Sequence, residues 1–254
     1  MLEVEGLCKR FGGLHAVNNL SFSAGLGSIT SLIGPNGAGK STVFDIISGG
    51  FKPDSGCVKL DGKDVTGWSP QRLNCNGLCR SFQITNLMFE LSTFENVRVA
   101  ALARETRRRI FSRLSLDPKS ASSQAAMFIL QEFGLAHLSK QPAKHLSHGD
   151  QRLLELAICM AGQPRLLLLD EPTQGLSATE TQVTASLIRR LATQGLTVLL
   201  VEHDIDLVMT ISDHIIVMQQ GSKIAEGNPE HVRADRLVQE VYLGEVVEHR
   251  DAHA

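Results

Sequence analysis

The feature that most constrains this chain is the glycine-rich octapeptide Gly34–Ser41, GPNGAGKS, which matches the pattern G-x-x-x-x-G-K-[S/T]. An apolar stretch typical of a buried strand, Ser28–Ile33, precedes it, and a helical pattern over Val43–Ile47 follows. Backbone N–H groups of such a loop surround the β- and γ-phosphates of a nucleotide, and the helix dipole adds to the attraction. Glycines are needed because the backbone must curl closely around the phosphates. The motif predicts a nucleotide-binding α/β fold.

Residue type assigns roles within this loop. We expect Lys40 to neutralise oxygens of the β- and γ-phosphates of a nucleotide, and the Ser41 hydroxyl to hold Mg²⁺. The other nucleotide contacts are expected from Gly34, Pro35, Asn36, Gly37, Ala38, Gly39 and Thr42.

A second motif, which is acidic, distinguishes nucleotide hydrolysis from the other reactions that proteins with such a loop carry out. The apolar run Leu166–Leu169 is followed by Asp170 and Glu171, which places two acids at the carboxyl end of a predicted strand, where ligands bind in open α/β sheets. Asp170 is expected to hold Mg²⁺ through its hydration shell, and Glu171 to act as a general base on water. A small-molecule kinase activates an acceptor hydroxyl instead, so this pair favours hydrolysis of the nucleotide.

The stretch HLSHGDQR (145–152) contains Ser147, His148 and Asp150, the residue types of a hydrolase triad. Side chains one or two positions apart do not face each other on a helix, and the chain lacks a G-x-S-x-G elbow, so a triad is excluded. Ser147 followed three residues later by Asp150 predicts a capping box at a helix start, which can bind anions. His145 and His148 lack further clustered ligands, which argues against zinc.

Composition narrows the partners. The net charge of −2 and the pI of about 6.5 give no support for nucleic-acid binding. No apolar run approaches the ~20 residues of a membrane span, and the N-terminus lacks a signal-peptide pattern, so we expect a cytosolic chain that meets the membrane through a partner. The five scattered cysteines suit reduced thiols.

A basic cluster is interpreted as a solvated helix face, with contact to anionic lipid or a partner as the alternative. It comprises Arg98, Arg104, Arg107, Arg108, Arg109 and Arg113.

Patterning along the chain predicts its layout. Residues up to about Asp64 are rich in strand and turn signals, including a strand over Gly56–Gly62. Residues 87–162 are predicted to be helical, with a polar linker at 116–123. Arg165–Asp170 and Thr197–His203 are typical of buried parallel strands. A helix around Glu180–Ala192 is predicted between these strands, then a hairpin from His214 to Glu226.

Together and in order, these motifs resemble the ATP-binding subunits of ABC transporters, from about Leu2 to Glu245. The matching segments are GPNGAGKS, then RSFQ (80–83) like the Q-loop, LSHGDQ (146–151) like the signature, LLLLDEPTQGLS (166–177) like the Walker B motif and D-loop, and VEHD (201–204) like the H-switch. The resemblance implies an α/β fold with a RecA-like, mainly parallel sheet carrying helices on both faces, an N-terminal antiparallel β subdomain and a helical insertion. It implies one domain over 1–245, with 1–86 and 163–245 as catalytic core, about 87–162 as helical subdomain, and 246–254 as a tail.

The resemblance also implies further site residues. Phe11 matches the aromatic residue that stacks on adenine, with a core phenylalanine as the alternative. Gln83 matches the residue that reaches Mg²⁺ and the attacking water, and His203 the histidine that contacts the γ-phosphate. Ser147 and Gly149 match signature residues that bind the γ-phosphate held by a second ATPase subunit in a head-to-tail dimer. His148 departs from the usual Gly, Asp150 from Gln, and Ser177 from the D-loop Asp.

Longer segments resemble the importer ATPases for branched-chain amino acids, among them GGLHAVNNLSFS and the stretch from VEHDIDLVM onwards. The resemblance implies a peripheral subunit at the cytoplasmic face of the membrane, which couples ATP-driven dimer closure to uptake. It implies transmembrane permease subunits as partners, a homo- or heterodimer of ATPases, and indirectly a periplasmic or extracellular solute-binding protein. Urea and short-amide importer ATPases share LSHG and remain alternatives, as does a soluble ABC ATPase.

Overall fold

The computed structural model describes residues 1–81, 87–108 and 121–241, with the side chains of 105–108 excepted. Its strands are β1 (Leu2–Phe11), β2 (Leu14–Ala24), β3 (Ile29–Ile33), β4 (Ser55–Leu60), β5 (Lys63–Asp64), β6 (Leu78–Arg80), β7 (Leu166–Asp170), β8 (Thr197–Val201), β9 (His214–Gln219) and β10 (Ser222–Gly227). Its helices are α1 (Lys40–Ile47), α2 (Pro70–Cys75), α3 (Thr93–Arg108), α4 (Ala121–Glu132), α5 (His148–Ala161), α6 (Ala178–Thr193), α7 (Ile205–Ile211) and α8 (Pro229–Ala234). Single 3-10 turns lie at Ala136–Leu138 and Ala143–His145.

The larger sheet has the order β10-β9-β3-β8-β7-β6, in which β9 through β6 are parallel and β10 is an antiparallel edge strand. The parallel strands β3, β7 and β8 are buried along their whole length. Alternation along β7 sends Leu167 and Leu169 into one hydrophobic cluster, and Leu166 and Leu168 into another on the opposite face. Burial on both faces explains why these strands are uninterrupted apolar runs in the sequence.

The smaller sheet, of order β2-β1-β4-β5, is antiparallel throughout. Its apolar side chains, such as Leu7 and Leu20, share the second cluster with Phe44 of α1, so it covers the phosphate-binding helix. β2 also touches the larger sheet, where the Asn18 N–H donates to the carbonyl of Gly221 at 2.8 Å. The antiparallel sheet is therefore fastened beside the loop that follows β3.

Helices α3, α4 and α5 pack on the other face of the larger sheet. Val97, Leu130 and Leu154, one from each helix, are fully buried in the first cluster together with Leu167 of β7. Within the part of the chain that the structure describes, no helix combines the length and apolarity that a membrane crossing needs.

The predicted fold class is confirmed, because a mainly parallel sheet with helices on both faces stands beside an antiparallel sheet and a group of helices. The hairpin is β9–β10 and the predicted helix over 180–192 is α6. α4 begins at Ala121, so the end of the predicted polar linker is helical, and residues 116–120 lie outside the described residues. The predicted tail, 246–254, also lies outside them.

Candidate nucleotide-binding site

The loop between β3 and α1 is pressed against backbone from two other strands. Gly34 has φ 151° and Gly39 has φ 100°, both in the region that favours glycine. A Cβ on Gly34 would overlap the carbonyl oxygen of Met218, and one on Gly39 would overlap that of Ala16. These two glycines are required by close backbone contact as well as by their dihedral angles.

α1 begins inside this loop. Gly39 is its N-cap, and no side chain of the described residues caps it. The first N–H groups of a helix have no carbonyl partner within the helix, and the positive end of the dipole lies behind them. Lys40 is 6% exposed, and its Nζ donates to the carbonyls of Gly34 at 2.6 Å and Pro35 at 3.0 Å. Its ammonium group thus lies inside the curl of the loop.

A cleft of about 700 Å³ opens in front of α1, within the size range of small-molecule sites. Phe11 lines it and is 43% exposed, so it is not a core phenylalanine. Its ring contacts Phe51 edge-on, with centroids 5.4 Å apart. The other lining residues are Leu14, His15, Ala16, the loop residues Asn36, Gly37, Ala38, Gly39, Lys40, Ser41 and Thr42, and Glu171, His203 and Gln220.

Asp170 ends β7 and is held by Arg80, which ends the neighbouring β6. The Arg80 Nη2 donates to Asp170 Oδ2 at 3.0 Å, and its Nη1 donates to Asp45 Oδ1 of α1 at 2.5 Å. All three side chains are at least two-thirds buried. Arg80 thus joins the acidic strand end to the phosphate-binding helix, a role that the sequence analysis missed because nothing local in RSFQ marks it.

Glu171 and His203 contact each other in the lining of the cleft. The Oε1 of Glu171 lies 2.8 Å from the Nε2 of His203, and the carboxylate is 14% exposed. Glu171 has a φ of 48°, uncommon for a residue with a side chain, while its N–H donates to the Val201 carbonyl at the end of β8. The two residues, far apart in sequence, are brought together because β7 and β8 are adjacent parallel strands that end at the same edge.

Two buried side chains fix the segment after Glu171, and the sequence analysis missed both. Glu202 accepts from the N–H and the hydroxyl of Thr173, at 3.0 and 2.6 Å, through one oxygen. Its other oxygen accepts from the N–H of His203. Arg152 of α5 donates to the carbonyls of Pro172 at 3.0 Å and Glu171 at 2.7 Å, and pairs with Glu155 at 2.6 Å. The sequence did offer one signal for Arg152, because Glu155 lies three residues later on the predicted helix and carries the opposite charge.

Ser147 caps α5 as predicted, but the Asp150 side chain bonds it differently from a capping box. Ser147 is the N-cap, and its Oγ accepts from the Asp150 N–H at 3.1 Å. The Asp150 carboxylate does not complete a capping box with the Ser147 N–H. Instead it accepts from the Ser147 hydroxyl at 2.7 Å, because an Asp side chain is one methylene shorter than Glu. Ser147 and His148 are exposed at the surface, while Gly149 is buried against Glu180.

The reciprocal capping box occurs instead at α6, where Ser177 replaces the usual acid. Ser177 accepts from the Glu180 N–H, and Glu180 accepts from both the N–H and the hydroxyl of Ser177. These two hydrogen bonds hold the pKa of Glu180 below its ordinary value. His148 Nε2 lies 3.4 Å from the carbonyl of Gln174, so its side chain turns towards the D-loop of its own chain.

The remaining predicted residues divide between the site and the undescribed segment. Ser41 and Thr42 line the cleft, whereas Gln83 lies outside the described residues. The hydroxyl of Ser41 and the carboxylate of Asp170 supply oxygen donors, the type that Mg²⁺ prefers. Among the described residues, no cluster of three or more His, Cys, Asp or Glu side chains could hold a metal. Two side chains of the arginine cluster, those of Arg98 and Arg104, are half-buried. The Arg98 guanidinium lies 6.0 Å from the centroid of the Phe94 ring. The other four side chains of the cluster lie outside the part of the chain that the structure describes.

The sequences of known ATP-binding proteins are similar to this chain, which agrees with a nucleotide-binding site. A family model described as "ABC transporter" matches residues 17–174, and one described as "Branched-chain amino acid ATP-binding cassette transporter" matches residues 222–248. The chain is 41% identical to the high-affinity branched-chain amino acid transport ATP-binding protein BraF of Pseudomonas aeruginosa, and 42% identical to LivG of Escherichia coli. Each alignment covers 96% of this chain and 98% of the relative.

Solved structures agree in fold. The ADP conformation of MJ1267, an ATP-binding cassette of an ABC transporter, superposes with a TM-score of 0.86 at 31% identity, over 96% of this chain and 98% of that one. A dimeric post-hydrolysis state of the cassette MJ0796, bound to ADP and Pi, superposes with a TM-score of 0.74 at 25% identity, over 90% of this chain and 99% of that one.

Proposed function

Since this chain belongs to the ABC transporter family of ATP-binding subunits, we propose that its own cleft binds Mg²⁺-ATP and that Glu171 and His203 direct hydrolysis there. The observation that carries the proposal is the 2.8 Å contact between these two side chains in a cleft that the phosphate-binding loop also lines. A general base and a positioning group must lie within hydrogen-bond reach of one water, which this contact allows.

Each group has a chemical task in this proposal. Phe11 stacks on the adenine, and the N–H groups of the loop and the Lys40 ammonium hold the β- and γ-phosphates. Ser41 and Asp170 hold Mg²⁺, which, when bound, neutralises charge on the phosphate oxygens. Glu171 accepts a proton from the attacking water, and His203 orients that water and the γ-phosphate. The hydrogen bonds of Arg80 and Arg152 keep Asp170 and Glu171 at fixed positions.

We assign Ser147 and Gly149 to the γ-phosphate of a second subunit, in a head-to-tail dimer. The exposed start of α5 and the dimeric state of the similar cassette MJ0796 support this assignment. Sedimentation of the full chain with ATP tests it: dimers of the pure chain indicate self-pairing, and monomers that dimerise only with a homologous ATPase subunit indicate a heterodimer.

We further propose that the dimer sits at the cytoplasmic face of the membrane, against transmembrane permease subunits. Residues 87–162 act as the helical subdomain that passes closure to these permeases, through Gln83 and residues 85–94. Solute is delivered by a periplasmic or extracellular binding protein. The match of residues 222–248 to the branched-chain amino acid family favours these amino acids over urea or short amides as the solute.

Substitution of the proposed base tests hydrolysis. Glu171→Gln is expected to lower kcat for ATP at least ~100-fold while leaving the Kd for ATP nearly unchanged, because a positioned base contributes about 10²–10⁴-fold. Glu230→Gln, which removes an exposed carboxylate far along the chain, is the matched control and is expected to match the wild type. Equal turnover by both variants would refute the assignment of Glu171.

A transport assay tests the solute. Cells that carry only Glu171→Gln in place of this chain are expected to lose uptake of radiolabelled leucine, isoleucine and valine, and to keep uptake of urea. Loss of urea uptake alone would favour the amide importers. Intact uptake of all four with impaired DNA repair or translation would favour a soluble ABC ATPase.

A further inference from the structure

A second cavity, of about 570 Å³, lies between the parallel sheet and the helical elements. Its walls come from both sides, with Arg80 and Leu78 of β6 on one and Ile158 of α5 and Ala100 of α3 on the other. None of the proposed nucleotide contacts lines it. Any covalent link across this cavity would therefore join the strand that carries Arg80 to the helix that starts at the signature.

Two cysteines line this cavity, one from β6 and one from α5. Cys79 of β6 is half-buried and Cys159 of α5 is 9% exposed, and both line the cavity. Each thiol shifts the pKa of the other. Cys79 also packs against the hydrophobic cluster that contains Cys159. The proposed hydrolysis reaction uses neither thiol.

The contact divides the two thiols by reactivity. Its side-chain interaction with the Cys159 thiol holds the pKa of Cys79 below its ordinary value. The same interaction and burial raise the pKa of Cys159 well above its ordinary value. Since the thiolate is the nucleophile, Cys79 is the sulfur that reacts first with a small electrophile that enters the cavity.

We propose that Cys79 and Cys159 form a site of reversible oxidation that takes a hydroperoxide, ROOH, and closes to a disulfide between β6 and α5. The Cys79 sulfur attacks one peroxide oxygen, the O–O bond breaks, and ROH leaves with the Cys79 proton, so that a sulfenic acid forms. The Cys159 sulfur then attacks the Cys79 sulfur, the S–O bond breaks, and hydroxide leaves with the Cys159 proton as water. The two thiols lose two electrons, and the hydroperoxide gains them.

The position of the link gives it a consequence for hydrolysis, and this part rests on the proposed function. Cys79 immediately precedes Arg80, whose guanidinium holds Asp170 and Asp45. α5 carries Arg152, which holds the Glu171 carbonyl. A disulfide would fix β6 to α5 and prevent the two from shifting relative to each other when nucleotide binds.

Peptide mapping of the full chain after treatment with hydrogen peroxide tests the link without reference to ATP. Trypsin releases Cys75 and Cys79 together in peptide 73–80, and Cys159 in peptide 153–165. The expected product is 73–80 joined to 153–165, lost on reduction with dithiothreitol, retained in Cys75→Ser and absent from Cys79→Ser. An internal Cys75–Cys79 disulfide, or a sulfinic acid on Cys79 beside a reduced Cys159, would overturn the proposal.

ATPase activity measures the consequence separately. Oxidised wild-type chain is expected to lose turnover at least about tenfold, as for a blocked conformational step, and to regain it with dithiothreitol. Cys79→Ser and Cys159→Ala are expected to be insensitive to peroxide, and Cys75→Ser to behave as the wild type. Because mapping reports the disulfide directly, a chain without ATPase activity would refute the proposed function and leave the oxidation site standing. Equal inactivation of Cys79→Ser and wild type would remove the regulatory consequence.

Discussion

Two helix N-termini are assigned to phosphate in this protein, and they are built in opposite ways. α1 follows Gly39, has a positive φ at its cap, and is capped by no side chain of the described residues. α5 follows Ser147, whose hydroxyl accepts the Asp150 N–H and donates to the Asp150 carboxylate. The first terminus therefore has backbone alone at its cap, whereas the second is already hydrogen bonded to a side chain of its own helix.

This difference separates two steps of the proposed cycle. ATP binding to one chain depends on a rigid loop whose glycines touch backbone carbonyls, so it needs no rearrangement at α1. Dimer closure depends on Ser147, which must turn its proton from Asp150 towards the γ-phosphate of the other subunit. We therefore expect changes at α1 to act on nucleotide affinity, and changes at α5 to leave the nucleotide affinity of the single chain nearly unchanged.

The largest effect is expected from Gly39→Ala. The added Cβ would overlap the Ala16 carbonyl and would force a side chain into φ 100°, a strain of about 1–3 kcal/mol before the loop moves. We expect the Kd for ATP, measured by calorimetry, to rise about 10- to 100-fold. Gly13→Ala is the control, because its Cβ meets no atom within 4 Å. If the Gly39→Ala chain folds and its affinity for ATP is unchanged, the loop before α1 is not rigid, and the contrast between the starts of α1 and α5 fails.

Ser147→Ala is the corresponding change at α5. It removes a hydroxyl that would bind a charged phosphate, a bond worth about 1.5–3 kcal/mol, so we expect ATP-driven dimerisation to weaken about 10–100-fold. The Kd of the monomer for ATP should stay the same. Sedimentation in a Glu171→Gln background measures dimerisation, with Asp150→Ala as the matched variant, which keeps the Ser147 hydroxyl and should not weaken dimerisation. Equal losses in the two variants would contradict the assignment of the phosphate to Ser147.

The sequence allowed most of this comparison to be predicted, because its signals are local. A glycine-rich loop between an apolar run and a helical pattern specifies α1, and Ser147 followed by Asp150 specifies the start of α5. Asp170 and Glu171 were placed correctly at a strand end for the same reason. Parallel strands buried on both faces were evident as continuous apolar runs.

Long-range contacts could not be predicted from those signals. Nothing near Arg80 indicates that it bonds Asp170, 90 positions later, and nothing near Glu202 indicates Thr173. Such pairs depend on strand order, which places β6 beside β7 and β7 beside β8. The contact between Cys79 and Cys159 is of the same kind. The direction of the Asp150 side chain was also missed, because residue spacing fixes a cap but not its reciprocal bond.

A smaller effect is expected from Gly149→Ala in the signature. Its Cβ would overlap the Glu180 carboxylate, which is the movable end of a side chain and not a backbone oxygen. Glu180 can swing away at the cost of its capping box with Ser177, about 1 kcal/mol. We expect that loss in the free energy of unfolding, measured in urea, with little change in the Kd for ATP. A tenfold loss of ATP affinity would mean that the two glycines are equivalent, contrary to the comparison.

The smallest effect, and the only gain, is expected from Asp150→Asn. The carboxylate competes with phosphate for the Ser147 proton and adds a negative charge beside the incoming triphosphate, a repulsion of about 0.5–1 kcal/mol at a solvated site. Asn removes the charge at nearly the same size, so dimerisation with ATP in the Glu171→Gln background should tighten about threefold. The helix loses an acid from its first turn, about 0.3–1 kcal/mol of stability. Weaker dimerisation in step with that stability loss would mean that Asp150 supports the closed signature, and that the hydrogen bond to Ser147 holds the serine ready for phosphate rather than away from it.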